Sequence, residues 1–130
     1  MSLMHWRAIF KMPNITKLSF LNWNETRPRE KRFQVAMTKL FAANAELLPL
    51  VFHRDQPRLR YEPGIILAQV CGLSSGEYLL VRLALDMWND SGGVRIQELI
   101  SRLDSTNFAN AMAALWSLGP TLDDLEMPLL

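Results

Sequence analysis

The chain is poor in the residues from which most catalytic and metal sites are built. Among its 130 residues there is one cysteine, Cys71, and there are two histidines. One cysteine excludes an internal disulfide and fits a reducing cytoplasm as the expected compartment. The nucleophile elbow G-x-S-x-G, the zinc motif H-E-x-x-H and the phosphate loop G-x-x-x-x-G-K-[ST] are all missing. Nor do two acids share an apolar stretch, the setting in which one carboxyl can be held protonated for acid–base work. Neither enzymatic activity nor a bound cofactor is expected.

Net charge is small too. Fourteen basic residues against thirteen acidic ones leave +1, and 49% of the residues are apolar, a balance that argues against intrinsic disorder. Long apolar runs are lacking. Lys11 and Pro13 interrupt the N-terminal stretch before it reaches the length of a secretion signal. The most apolar segment, Tyr78 to Trp88, is too short to span a bilayer and is interrupted by Arg82 and Asp86. No membrane partner is expected, and the sequons at Asn14 and Asn24 carry no meaning in a cytoplasmic chain. The length suits one domain that buries roughly two thirds of its unfolded surface.

What is present is helical punctuation, densest between Gly72 and Gly119. Ser74 and Glu77 have the S-x-x-E spacing of a capping box. The segment that follows is apolar almost all round, so it reads as a core helix buried on most sides, with Leu80, Leu83, Leu85 and Trp88 inside. Arg82 and Asp86, four apart, share its one polar stripe and can pair there. Asn89-Asp90-Ser91-Gly92-Gly93 ends it. A second helix over about 95–103 carries one apolar stripe of Ile96, Leu99, Ile100 and Leu103. Asp104 then caps a third, with Phe108, Met112, Leu115 and Leu118 at helical spacing. Gly119-Pro120 stops it, with Gly119 expected in the left-handed conformation.

The remaining stretches complete an all-α fold: a single domain of about five helices with an extended N-terminal arm. Residues 1–26 form the arm, 27–120 the helical domain and 121–130 an acidic tail. In the arm, Leu3, Trp6 and Phe10 suit one face of a short helix, Ile15 to Leu21 suits a strand or extended segment, and its tryptophans suit a segment lying across the core. Pro28 opens an amphipathic helix through Phe33, Met37, Leu40, Phe41 and Leu47, running to about Glu46 and closed by Pro49. His53 to Tyr61 reads as a polar loop, and Ile65 to Val70 as a short helix.

Charge is unevenly spread. Residues 1–60 hold eleven basic residues against four acids, a net of +7, and the remainder holds three against nine, a net of −6. The first turn of the Pro28 helix is basic, the wrong sign for the helix dipole. Arg27, Arg29, Lys31, Arg32, Arg54, Arg58 and Arg60 are therefore the candidate partner-binding residues, a basic surface for an acidic partner.

Four motifs suggest chemistry in outline. Met87 to Glu98 resembles the twelve-residue EF-hand loop, with Asn89, Ser91, Gly92 and Glu98 in register. Its first position is methionine where that pattern has an aspartate ligand, so a degenerate loop without calcium is implied. Residues 95–118 resemble a helix-turn-helix, but the second helix has no lysine or arginine with which to hold phosphate or read guanine. Leu73-Ser74-Ser75-Gly76-Glu77 resembles the signature loop of ABC-type ATPases, and the helix cap already accounts for its residues. Cys71 with His53 would be a nucleophile and base, although a cysteine among apolar residues is more often core. The expected function is a small non-catalytic interaction or adaptor protein, of a regulatory or mobile-element kind, whose partner is another protein or a second copy of itself. The alternative is a nucleic-acid binder acting through its basic half.

Overall fold

The computed structural model describes residues 20–24 and 27–119; the expectations for residues 1–19 and for the acidic tail lie outside these. The described chain is all-α, with six helices: α1 (Pro28–Leu40), α2 (Leu48–Val51), α3 (Pro63–Gln69), α4 (Ser75–Asn89), α5 (Ile96–Arg102) and α6 (Ser105–Leu118). A 3-10 turn, Ala45–Leu47, leads into α2. No helix among the described residues is long and apolar enough to cross a membrane.

The expected capping chemistry forms. The Glu77 amide donates to Ser74 Oγ at 3.2 Å, and the Ser74 amide donates to Glu77 Oε1 at 3.3 Å. Asp104 Oδ1 accepts from the Asn107 amide at 2.7 Å. Two boundaries differ from expectation. α1 stops at Leu40, and Pro49 lies in the first turn of α2 instead of closing the longer helix; proline is tolerated at a helix start because that N–H has no intrahelical acceptor. Gly119 is extended, with φ −72° and ψ 174°, as befits a residue restricted by a following proline.

α4 is buried as its composition requires, with Leu79, Leu80, Val81, Leu83, Ala84 and Leu85 in the core and Trp88 half-buried. Each such Leu or Val contributes roughly 1.5–3 kcal/mol, so this helix is worth far more to the fold than any surface ion pair. The most extensive helix pairing is nevertheless between α1 and α6. They run antiparallel: Asn44, just past α1, bonds Asn107 at the start of α6 at 2.8 Å, whereas Leu118 at the end of α6 lines one groove with Arg29 and Phe33 from the first half of α1. The buried positions of α6 are the small residues Ala111 and Ala114, and those of α1 include Ala36, all wholly buried. A ridge of alanines lets the two backbones approach closely and leaves larger neighbours outside. This is why the expected α6 stripe is only partly used: Met112 and Leu115 are exposed. On α5, likewise, Leu99 is buried while Ile96 and Ile100 remain 75% and 60% exposed.

Four rings fill the centre: Trp23 from the arm, Phe33 from α1, Phe52 after α2 and Trp88 from α4. All six pairs lie within 5.0–6.2 Å between centroids, five of them edge to face. The arm is also held by polar bonds. Trp23 Nε1 donates to the His53 carbonyl at 2.9 Å, the Trp23 amide to Gln34 Oε1 at 3.1 Å and the Asn22 amide to the Arg54 carbonyl at 2.7 Å. Residues 20–24 thus lie across the core as the aromatic content suggests. The loop beyond α2 doubles back on itself through an isolated antiparallel bridge between Phe52 and Leu59.

The α4–α5 turn needs glycine for lack of space. A Cβ on Gly92 would come within 1.7 Å of the Arg82 carbonyl oxygen, and that atom is helix backbone that cannot swing aside. Asp90 and Gly93 complete the turn with φ of 61° and 65°. Gly92→Ala should therefore destabilise the protein by at least about 2 kcal/mol in urea unfolding, the cost of forced overpacking. An unchanged midpoint would show that the turn is not seated on α4.

Candidate functional site

The loop that resembles an EF-hand is built around a different use of its acids. Asp86 does not pair with Arg82. Its carboxylate reaches forward and accepts three backbone amides, from Gly92 at 2.8 Å, Gly93 at 3.0 Å and Val94 at 2.7 Å. Arg82 passes the same turn, donating to the carbonyls of Gly92 and Gly93, and closes a bidentate pair with Glu98 at 2.9 and 3.2 Å. Glu98 also accepts the Arg95 amide at 3.0 Å and meets Arg102 at 3.4 Å. The residue in the bidentate calcium position is thus occupied by a guanidinium, and no group of three metal-ligating side chains occurs among the described residues.

Each acid here is a clamp on the loop, and that of Glu98 carries a pH signature. The Arg82 hydrogen bonds, then the Arg95 amide, hold the Glu98 carboxyl down at about 2 against an ordinary 4.5. A carboxyl depressed in the folded state stabilises the fold above its unfolded value and loses that stabilisation as pH falls through the folded one. Stability should therefore decline between about pH 4.5 and 2, and Glu98→Gln should flatten that slope while lowering the melting temperature at neutral pH. An unaltered acid profile in Glu98→Gln would count against the clamp. Millimolar calcium should leave the melting temperature unchanged.

The other motifs resolve differently. Cys71 is exposed just past α3 and not in the core, because the α3 face that turns inward is set by Ile66 and Val70. The His53 ring meets Arg58, whose Nη2 lies 3.1 Å from Nε2; a guanidinium only donates, so that nitrogen accepts. The α5–α6 pair has the outline of a helix-turn-helix, but α6 lies with its buried face against α1 and shows Met112 and Trp116 outward.

The candidate basic residues separate into groups. Arg27, Arg29 and Arg32 converge on one groove of about 550 Å³, which Glu30, Phe33, Met87, Trp88 and Leu118 also line. Lys31 is exposed but does not line it. Arg54, Arg58 and Arg60 belong to the loop after α2, where Arg58 meets His53 and Arg60 lies 5.9 Å from the Tyr61 ring centroid. The groove therefore has a cationic rim at the start of α1 and an apolar floor from α1, α4 and the end of α6. Glu30 is turned to the helix itself, its carboxylate accepting the Arg27 amide at 3.0 Å. Among the described residues neither Arg27 nor Arg29 has an ion-pair partner.

Sequence reasoning found the rim but missed the floor. Phe33, Met87, Trp88 and Leu118 are far apart along the chain, and only the antiparallel return of α6 brings Leu118 to α1. No protein family, curated protein or solved structure matches this chain, so the groove is read from its own chemistry.

Proposed function

We propose that this is a small, non-catalytic interaction protein of the cytoplasm that captures an acidic, apolar segment of another protein in the groove at the start of α1. The observation that carries the reading is the pairing of the Arg27–Arg29–Arg32 rim with an aromatic and aliphatic floor. Carboxylates of a bound segment would meet guanidiniums, which suit them geometrically. The same carboxylates would offset the basic first turn that opposes the α1 dipole. Leucine or phenylalanine side chains of the segment would cover Met87, Trp88 and Leu118.

The nucleic-acid reading is the weaker one on the same observations. Only three of the seven candidate cations share the groove, whereas affinity for a phosphate backbone grows with the number of phosphates neutralised. Phe33 and Trp88 are engaged edge to face with other core rings, which limits what they offer to a stacked base.

The test is fluorescence anisotropy with short labelled peptides that mix aspartate or glutamate with leucine and phenylalanine, run beside mixed-sequence oligonucleotides at low and high salt. The acidic apolar peptides should bind and the oligonucleotides should not. Arg29→Glu should weaken peptide binding roughly tenfold to a hundredfold, the range for a charge-assisted hydrogen bond. The melting temperature should hardly move, because an exposed charge contributes little stability. Equal binding by parent and variant would sink the reading, and salt-sensitive oligonucleotide binding lost in Arg29→Glu would favour the alternative.

A further inference from the structure

α6 has no charged residue in its fourteen positions, and the side away from α1 is open to solvent. Ala109, Met112, Ala113 and Trp116 lie on that side at spacings of three, four and seven, and Trp116 is 86% exposed. Monomer surfaces seldom leave a large aromatic so bare within an uncharged stripe. We infer that this stripe is a two-fold contact between two copies of the chain, distinct from the groove.

Three features point to a second copy as the occupant. A two-fold interface places the same patch on both sides and sets each off-axis residue against a different residue of the copy, so a patch whose charges share one sign repels its copy; α6 contributes no charged residue to this stripe. Ile96 and Ile100, also exposed, are flanked by two like charges, Arg95 and Arg102, whereas at the α6 stripe Lys39 of α1 bonds Ser117 at the edge, at 2.9 Å. The stripe is also self-complementary in size. With two α6 helices antiparallel and the axis between Met112 and Ala113, Met112 faces the partner's Ala113 and Trp116 faces the partner's Ala109. Every large side chain then meets an alanine, on both sides of the axis. The area is small. Two tryptophans supply on the order of 300–500 Å² against the roughly 1,600 Å² of a standard interface, which places the contact among weak, reversible ones.

Sedimentation equilibrium of the full chain over a wide concentration range tests this. The parent should show a monomer–dimer equilibrium. Trp116→Ala should weaken it at least about thirtyfold, as for a central aromatic anchor, and Ala109→Trp should do likewise by setting ring against ring. The double variant Ala109→Trp/Trp116→Ala exchanges large for small across the axis and should recover the parent's association. Trp116→Glu gives the same loss through charge, should Ala109→Trp disturb the helix, and circular dichroism would confirm that each variant is folded. Arg29→Glu should leave the dimer intact, which separates this contact from the groove. A parent that stays monomeric at hundreds of micromolar overturns the inference and leaves the stripe to a different protein. A dimer indifferent to Trp116→Ala and Trp116→Glu, or a double variant no tighter than the single ones, overturns it as well.

Discussion

Trp23, Phe33, Phe52 and Trp88 come from four separate stretches of chain and meet at one place, each ring within 6.2 Å of the other three. Edge-to-face pairs of this kind are worth about 0.5–1.5 kcal/mol each beyond the area they bury. Their larger consequence is geometric. The cluster fixes the arm to α1, α1 to α4, and the loop after α2 to all three. Phe33 and Trp88 are also the floor of the arginine-rimmed groove, so the packing that closes the core shapes the candidate binding surface. The polar bonds of Trp23 to His53 and Gln34 orient a ring whose burial supplies most of the energy.

The second constraint is the turn between α4 and α5. Gly92 lies against the Arg82 backbone so closely that no side chain fits, and the amides and carbonyls of that turn are taken by Asp86 and Arg82. Buried polar backbone must find partners, and here two side chains of the preceding helix provide them. Glu98 then ties Arg82 to the start of α5. A pattern that resembles a calcium loop in outline thus works as an internal clamp, with a guanidinium where a divalent cation would stand.

The two proposed surfaces differ in character because they use different parts of the same helix pair. At the start of α1 and the end of α6 the groove combines cations with an apolar floor, which suits an acidic partner of different sequence. The outer side of α6 has no charge and alternates large with small, which suits a copy of itself. The alanine ridge between α1 and α6 separates them: by bringing the helices close, it sends Leu118 to the groove and Met112 and Trp116 to solvent.

Local chemistry made the helices legible from the sequence. The Ser74–Glu77 box, the Asp104 cap, the apolarity of residues 78–88 and the turn after Asn89 each act within one or two helical turns, so spacing alone fixes α4 and α6 and the all-α class. The rim residues Arg27, Arg29 and Arg32 were visible as a basic first turn. What the sequence could not decide depends on contacts between distant positions. Arg82 and Asp86 share a helical stripe, yet each does better with the turn that folds back on them, six to sixteen residues further along the chain. Ile96, Ile100, Met112 and Leu115 fit an apolar period, but α1 takes α6 by its alanines, because close backbone approach favours small side chains at the contact. Periodicity identifies a face that could be buried; only the partner helix determines which residues of that face are covered, and so which remain to form a groove or to meet another molecule.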